Sequence, residues 1–486
     1  MMSKKKNETP KPPLFHIMIC LIEIWEMEDK NFPMQEPKSP RLITEVENIE
    51  IEESYRKLIG TASVKFPRGT VIKKTLTEME NVKYGSEITA SIEDTGVLVT
   101  TRVDSKKAEV TDFKVGSRIR IRLGYTTDPK IAALTKMDEF GKSIHNDANK
   151  LKTYRENLQT MFDGYITKCS IDTPIIIHCE NLASALKKIS CPDKLYKNTT
   201  VNGMLSEKGA GGHNANLLKN TGIKLHPYTE SCEINVGDIG LNRYLTVADI
   251  LTGWSKYRVY AFLKGDKDGN PYLAVGRFYF SSPGKDSILK LDDINSKPPK
   301  IKFDYNVAQN NLTLTSTDKA FLAVEATAVD EQGKFYHITV RRNPNWDGKS
   351  ESDKYDLLNE TTITEKQQEA GASVLSLSKE GKKVDLSTYN IIPYMSRNMK
   401  IPHEKLAEEA KKHLESYNMN GIEGTLTLFG DLALRTGTKV ELVDKRFPQK
   451  NGYYLVDEVV TTFGVDGYRQ KIKLPYCISR IKSEEQ

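Results

Sequence analysis

The sequence predicts a mainly β protein, α+β overall, in which two similar β units flank a mixed α/β middle region. Tyr is frequent (22, against 3 Trp), and Tyr with Thr and Ile suits half-buried strands. Apolar and polar residues alternate along many short segments, which is the pattern of a strand with one buried face. Helical spacing of apolar residues is confined to a few stretches, so helices are a minority of the predicted elements.

The composition narrows the function classes. A chain of 486 residues corresponds to roughly three domains. Hydrophobic residues make up 38% and charged residues 28%, which is enough apolar material for packed cores and too much charge for a membrane protein. Lys+Arg 71 against Asp+Glu 65 gives a formal charge of +6, which excludes a strongly basic nucleic-acid coat and an acidic disordered tail.

The first 41 residues are predicted to form an N-terminal arm that is partly disordered. Residues 1–13 are charged and Pro-rich, without an apolar period. The apolar run 14–22 follows three lysines, but no small-residue cleavage site follows it, and nine residues are too few to span a bilayer. Residues 21–27 are interpreted as an early strand or a docking arm. We therefore expect a protein made in a cytoplasm, without a membrane-spanning segment.

Residues 42–190 form the predicted first β unit. Residues 42–66 read as two strands, and residues 116–125 as another. In this last strand Ile119, Ile121 and Leu123 face one way and Arg118, Arg120 and Arg122 the other. Strands at 161–180 and a short helix at 182–189 complete the unit.

Residues 129–158 interrupt the β pattern of this unit. Apolar residues there are three or four apart, which predicts one long helix or a helical hairpin around Gly141. The near-heptad spacing is compatible with a coiled-coil-like contact and, equally, with a helix lying on its own domain.

Residues 191–300 form the predicted middle domain. Residues 245–257 read as a capped helix, with Thr246 as N-cap, Asp249 three residues on, and a buried side of Ile250, Leu251 and Trp254. The Gly-rich segment 208–215 lacks the Lys and Ser/Thr of a phosphate-binding loop and is interpreted as a plain flexible loop.

Residues 301–478 form the predicted second β unit, followed by a short tail, 479–486. Strands are predicted between 301 and 341 and again from 424 onward. Residues 343–400 are polar and irregular, which predicts an exposed insertion, and residues 402–417 have the apolar spacing of an amphipathic helix.

The two β units share an order of short motifs. The first contains VGSRIRIRL (115–123), FDGYITKCSID (162–172) and PIIIHCE (174–180); the second contains TGTKVELVD (436–444), NGYYLVDEVVTTF (451–463) and YRQKIKL (468–474). One duplicated and then decorated β unit explains both the similarity and the longer spacing in the first copy, where 129–158 is inserted. The predicted core residues of the two β units are Ile119, Ile121, Tyr165, Val440, Leu442, Tyr454 and Val460.

The sequence contains no recognisable catalytic, cofactor-binding or metal-binding signature. The six cysteines form no CxxC pair and are interpreted as buried free thiols in a reducing compartment. Asp163 is interpreted as a turn residue before a strand, and His413 as solvated. The arginine face of the strand at 116–125 is a candidate contact for an acidic neighbouring subunit.

The order of these motifs resembles the phage tail (baseplate) hub proteins, which belong with the late control gene D family and the hub part of the VgrG spike of type VI secretion. The likeness covers about 42–190 and 300–478, and its most specific part runs from Gly424 to Phe463. It implies two tube-like β-barrel domains in each chain and no catalytic role. The N-terminal arm and the two insertions depart from the pattern.

The resemblance implies a structural role in a virion tail, assembled in the host cytoplasm. Three chains would form a ring that adapts a six-fold tail tube to a three-fold spike or tip. The implied partners are two further copies of the chain, a tail tube or distal tail protein and a spike or tip protein. A tape-measure protein is a further candidate, and DNA would pass through the channel without specific binding. The alternatives left open are a tail-associated cell-wall or polysaccharide-degrading enzyme and a β-rich carbohydrate-binding adhesin.

Overall fold

The structure is a computed structural model of the chain. It describes residues 16–25, 40–67, 70–72, 98–100, 113–170, 174–206, 215–219, 221–230, 235–257, 259–265, 271–277, 298–316, 322–329, 335–343, 355–358, 376–377, 383–384, 389–396, 402–416, 420–474 and 477–480. The predictions for 1–13, for most of the Gly-rich segment 208–215 and for Tyr417 lie outside these residues.

Strands dominate the described chain, so the mainly β prediction is confirmed. They are β1 Ile17–Trp25, β2 Arg41–Ile43, β3 Asn48–Ser54, β4 Thr61–Lys65, β5 Thr70–Ile72, β6 Leu98–Thr100, β7 Arg118–Thr126, β8 Gln159–Cys169, β9 Ile176–Asn181, β10 Lys194–Thr200, β11 Lys224–Leu225, β12 Asn235–Leu241, β13 Val259–Gly265, β14 Pro271–Arg277, β15 Lys300–Lys302, β16 Val307–Ser316, β17 Leu322–Val329, β18 Phe335–Arg342, β19 Tyr355–Leu358, β20 Ser376–Leu377, β21 Lys383–Val384, β22 Asn390–Met395, β23 Asn420–Phe429, β24 Lys439–Val443, β25 Gly452–Leu455, β26 Glu458–Gly464, β27 Gly467–Leu474 and β28 Cys477–Arg480.

The helices are short, with one exception. The α-helices are α1 Pro129–Ala133, α2 Ala148–Glu156, α3 Val201–Leu205, α4 Pro227–Glu230, α5 Val247–Gly253 and α6 His403–Ser416; the 3-10 helices are Leu182–Lys188, Trp254–Tyr257, Gly430–Leu432 and Pro448–Lys450.

One sheet of eleven strands joins residues from both ends of the chain, in the order β16-β23-β27-β26-β3-β4-β9-β8-β7-β1-β2. Smaller sheets are β15-β24-β25-β28, β19-β18-β17-β22, β11-β14-β13, β10-β12, β5-β6 and β20-β21. The division into units at 42–190 and 301–478 stays a prediction. The large sheet runs through strands of both units without a break.

The N-terminal strand β1 is an integral part of this sheet. It pairs antiparallel with β7 along its whole length, from Ile17 opposite Thr126 to Trp25 opposite Arg118. The strand interpretation of residues 21–27 is confirmed as far as Trp25, and β1 extends further towards the N-terminus than expected.

The helical insertion at 129–158 consists of two short helices, α1 and α2, joined by turns. Gly141 lies in the connection with φ 70, which is consistent with the hairpin alternative. The insertion packs on the sheet that its own unit forms with β1: the buried Tyr154 donates its hydroxyl hydrogen to the carbonyl oxygen of Cys20 in β1 at 3.3 Å. Of the two alternatives, a helix lying on its own domain is the one observed.

The middle region contains both helices and strands. Thr246 caps α5 as predicted: its hydroxyl accepts from the amide of Asp249 at 3.2 Å, and the Asp249 carboxylate accepts from the amide of Thr246 at 2.8 Å. Leu251 and Trp254 are buried, whereas Ile250 is half-buried at the edge of the same cluster.

The segment 343–400 is only partly as predicted. β19 pairs with β18, and β22 pairs in parallel with β17, so both belong to a sheet. This sheet packs against α6, whose Leu406, Ala410 and Leu414 form the predicted buried side. The prediction of an irregular, exposed segment is wrong for these two strands. Their apolar side chains Leu357, Ile392 and Tyr394 pack in the cluster that α6 covers.

His413 corrects another expectation. It lies on α6 but is only 6% exposed, and its ring packs 4.7 Å from that of Tyr394. The residue is part of the packing between α6 and β22 and is not solvated.

Candidate functional site: a polar sheet face shared by two repeated units

The predicted repeat is visible in the backbone hydrogen bonds. Gly116 and Gly437 both have positive φ, 92 and 72, which glycine adopts without strain. The Gly116 amide donates to the Ile166 carbonyl at 2.8 Å, and the Gly437 amide donates to the Val456 carbonyl at 2.9 Å. The reciprocal bonds, to the carbonyls of the residues after each glycine, are 2.9 and 3.0 Å. The same turn therefore opens β7 and β24.

The register differs by two residues from the alignment that the motifs indicate. Gly164 lies opposite Ile119, whereas Tyr454 lies opposite Val440. The counterpart of Gly164 is therefore Tyr454, and the two Gly-Tyr pairs do not superpose. The chain of the second unit also breaks into β25 and β26 where β8 is continuous.

Five of the seven predicted core residues are buried, at most 1% exposed: Ile119, Ile121, Val440, Leu442 and Tyr454. The prediction is wrong for Tyr165 and Val460, which are half-buried. In β26 the neighbouring Val459 is the buried residue, because Val460 points to the other face of the sheet.

The two units are joined by the ladder between β3 and β26. It is antiparallel and has seven pairs, from Ser54 opposite Glu458 to Asn48 opposite Gly464. β3 also pairs with β4, and β26 with β27, so neither strand is an edge. Residues about 400 positions apart in sequence thus form one continuous sheet.

One face of this sheet is apolar and buried, and the other is polar and open along the strands β23, β27, β26, β3, β4 and β9. The polar face carries half-buried or exposed polar side chains of both units, among them Thr425, Thr427, Arg469, Lys471, Lys473, Glu458, Thr462, Glu50, Glu52, Ser63, Lys65, His178 and Glu180. Of these, the four glutamates are balanced by three lysines and Arg469. Such a face has no strong attraction for either sign of charge.

Ion pairs neutralise part of this face locally. Lys57 pairs with Glu52, Lys65 with Glu47, and Lys187 with Glu180 at 2.9 Å. A groove of about 440 Å³ lies over the first unit's part of the face and is lined by polar side chains, among them Glu50, Thr167, Lys168 and His178.

The three arginines of β7 do not form a free basic face. Arg118 makes a bidentate pair with Asp163, at 3.0 and 2.8 Å, and Arg120 donates to the same carboxylate at 2.9 Å. Arg122 donates to Glu23 of β1 at 2.9 Å. The expectation that this face meets an acidic neighbouring subunit is replaced by pairing within the chain.

Asp163 is also not a turn residue. It lies within β8 and is 8% exposed, and Arg118 beside it is 2% exposed. Glu23 is 1% exposed and accepts from Arg155 of α2 as well as from Arg122. The helical insertion thus supplies Arg155 as a second partner for the buried Glu23.

A second charged cluster lies where the units meet. Arg435, in the loop before β24, makes a bidentate pair with Glu53 of β3 at 2.7 and 2.6 Å and donates to the carbonyl of Thr160 at 2.9 Å. Asp457 accepts from the hydroxyl of Ser54 at 3.0 Å and pairs with Arg56 at 2.8 Å. Burial raises the pKa of the Asp457 carboxyl, against the opposing effect of Arg56.

The prediction of buried free thiols holds for three of the four cysteines whose burial the structure describes. Cys20, Cys179 and Cys191 are free and buried, whereas Cys169 is free and half-buried. Burial, with a smaller contribution from Glu45, raises the pKa of the Cys20 thiol to about 12. Within the described residues, no group of three or more His, Cys, Asp or Glu side chains is placed to hold a metal ion. No helix of that part of the chain is both long and apolar enough to cross a membrane.

No protein-family model and no curated protein matches the chain. Among solved structures it is similar to the tail protein from Neisseria meningitidis MC58, with 11% identity and a TM-score of 0.46, covering 94% of this chain and 96% of that one. It is similar to the 43 kDa tail protein of prophage MuSo2 from Shewanella oneidensis, with 11% identity and a TM-score of 0.44, covering 95% and 98%.

A third similar structure is a chain of the Francisella PdpA-VgrG complex, with 10% identity and a TM-score of 0.46, covering 97% of this chain and 59% of that one. The prediction that the chain resembles tail and VgrG-type hub proteins is confirmed.

Proposed function

We propose that the chain is a structural hub protein of a bacteriophage tail or of a phage-tail-like injection system. Three copies form a ring that adapts a six-fold tail tube to a three-fold spike or tip, and the ring encloses the channel. The order of the sequence motifs supports the family, and the β3–β26 ladder supports the geometry.

That ladder is the observation that carries the proposal. It joins two repeated units edge to edge, with their polar faces continuous and their apolar faces covered. A chain that supplies two equivalent units converts three-fold symmetry into six similar positions. Head-to-tail contacts between such chains close into a ring when the rotation between neighbours divides a full turn.

The polar face supports a channel lining. Its mixed glutamates, lysines and threonines are hydrated and have no net charge large enough to hold a passing polyanion. We therefore place the tube or a distal tail protein above the ring, a spike or tip protein below it, and a tape-measure protein among the further partners. DNA passes through without specific binding. The protein acts in the virion tail after assembly in the host cytoplasm, and it is not an enzyme.

Mass photometry combined with electron microscopy of the purified protein tests this proposal. We expect particles of three chains with a central hole. A compact monomer with a deep groove would contradict the ring, and a cleared band on a peptidoglycan zymogram would favour the cell-wall enzyme instead. A thermal melt of the same preparation shows that the protein under test is folded.

A further inference from the structure

The contact between the two units within one chain is a template for the contact between chains. In the first unit, the hairpin strands β3 and β4 lie beside β9, and β3 presents its outer edge to β26 of the second unit. If the units are repeats, the second unit should present the matching edge to the first unit of another copy.

The strand that matches β3 is β16. β16 pairs with β23 as β3 pairs with β4, and glycines mark equivalent points in β23 and before β4. A Cβ on Gly60 would lie 3.1 Å from the Glu52 carbonyl oxygen of β3, and a Cβ on Gly424 would lie 2.3 Å from the Asn311 carbonyl oxygen of β16. Asn311 is therefore the counterpart of Glu52, and Asn310 that of Ile51.

The segment that matches β26 is the end of β8. Gly60 bonds to Asn181 of β9 as Gly424 pairs with Leu474 of β27. Counting back two residues makes Cys179 the counterpart of Ile472. These two lie opposite Ile166 and Val459 respectively. The break between β25 and β26 adds three residues after the stretch that matches Gly164–Ile166 on the β7–β24 side, so on the β9–β27 side residues 166–169 of β8 match the start of β26.

In the described part of the chain, both candidate edges lie where a strand has no further strand paired on one side. β7 pairs with β8 only as far as Tyr165, and the Ile166 backbone bonds complete that contact. β16 is an end strand of the eleven-stranded sheet, and its described ladder is to β23 alone. Gln309, Asn310 and Asn311 are exposed there, which is the polar character of an edge protected against indiscriminate pairing.

The side-chain directions agree as well. The bulge at Thr167 makes Lys168 the counterpart of Val460 and Cys169 that of Thr461, and Thr461 lies opposite Ile51. Cys169 and Asn310 pair with Ile177 and Leu426, both buried, so each points to the apolar face of its sheet. They would meet on one face, as Thr461 and Ile51 do.

We propose that β16 of one copy adds antiparallel to residues 166–169 of β8 in the next copy, with Asn310 opposite Cys169 and Asn311 opposite Lys168. This inference rests on the proposed ring and names the surfaces that close it. In the separate chain the Leu312 amide donates to Asn310 Oδ1 at 3.0 Å. The Asn310 side chain thus accepts from a backbone amide of the edge strand β16 in the separate chain. On pairing, the backbone of the neighbouring strand takes its place.

Disulfide formation between copies tests the register. In the full chain, Asn310→Cys should link to the native Cys169 of the next copy under mild oxidation. We expect a product that ends at three chains on non-reducing gels. Cross-strand partners place their Cβ atoms close enough for a disulfide, so we expect about tenfold more of it than with Asn311→Cys, whose side chain points to the other face. The double variant Asn310→Cys/Cys169→Ser should form none.

The outcomes separate this inference from the proposed function. Three-chain particles without the Asn310→Cys link, or equal linking by Asn311→Cys, contradict the strand pairing and leave the ring intact. A product that stops at two chains contradicts the head-to-tail contact, since a mutual two-fold contact would give it. A folded monomer without crosslinks contradicts both the pairing and the ring.

Discussion

Asp163 and Glu23 are buried carboxylates, and each is held by two arginines. The Asp163 and Glu23 side chains are 5% and 1% exposed, so water screens these pairs little. The contribution of these two carboxylates to stability depends on how buried ion pairs form and break. Forming such a pair stabilises little, but removing one partner leaves the other charge buried and unpaired.

We therefore expect Asp163→Asn to lower the free energy of unfolding by about 3–5 kcal/mol, because the Arg118 guanidinium is left without its counter-charge. Urea denaturation measures this loss. Glu180→Gln, which breaks the partly exposed pair with Lys187, should change stability by less than about 1 kcal/mol. Equal losses in the two variants would show that Asp163 is not held as described.

Asp457 should respond in the opposite way, because burial raises its pKa. An acid whose pKa is raised on folding binds its proton more tightly in the native state. Its contribution to stability is therefore lost as pH rises from the unfolded pKa, near 3.8, through the raised native pKa. Asp457→Asn should leave the urea midpoint at pH 7 unchanged or higher and reduce its difference between pH 4 and pH 7. A large loss at pH 7 contradicts this.

The environment of some of these residues can be predicted from the sequence, and that of others cannot. That Ile119 and Ile121 lie on the buried face of β7 follows from the alternation of apolar and charged residues alone. The Arg118–Asp163 pair depends on the register of two strands separated by the helical insertion, and alternation does not set a register. The burial of His413 is not predictable from its helix, because the strand β22 beneath it decides which helix face is covered.

At the scale of elements, the close approach of β8 and β9 depends on one glycine. A Cβ on Gly164 would lie 2.0 Å from the Glu180 carbonyl oxygen and 2.7 Å from the Asn181 Cα. Both contacts are to backbone, so the strands themselves would have to separate. The Gly-Tyr motif alone indicates a strand start at Gly164, whereas the role of this glycine is to let two backbones meet.

Gly164→Ala should consequently lower the thermal midpoint by several degrees or prevent folding, since overpacking of this kind costs about 1–3 kcal/mol or more. Gly253→Ala is the matched control. It lies at the end of α5, a Cβ there would meet nothing within 4 Å, and alanine favours helix. Circular dichroism melts compare the two. Similar midpoints would contradict the close β8–β9 contact.

Most elements with a complete local signal were predictable, such as the capped helix α5 and the alternating strand β7. β19 and β22 were not, because their burial is supplied by α6 and by ladders to β18 and β17. The order of strands in the large sheet was equally beyond the sequence. Nothing local indicates that residues 48–54 pair with residues 458–464.

At the scale of the whole molecule, the joint between the two units is held by β3–β26 and by the Arg435–Glu53 pair. Arg435→Met should lower the free energy of unfolding by about 2 kcal/mol, because the Glu53 side chain is 8% exposed, while the 24% exposure of Arg435 moderates the loss. Urea denaturation measures the loss, and limited proteolysis locates the first cuts.

Lys57→Met is the matched control at the same joint. Lys57 pairs with Glu52 of β3, and the two side chains are 60% and 37% exposed, so its removal should change stability by less than about 1 kcal/mol. A loss as large as that of Arg435→Met would show that the charges at the joint stabilise it collectively, without a special contribution from the buried Arg435–Glu53 pair.

The β3–β26 ladder also has a kinetic consequence. Two units on one chain meet at the high effective concentration of a tethered pair, whereas units on separate chains must find each other by diffusion. If the ring has six positions, three of its six joints are already made when each chain has folded. Its assembly should then vary with at most the third power of protein concentration and should pass through fewer incomplete rings than six separate subunits would.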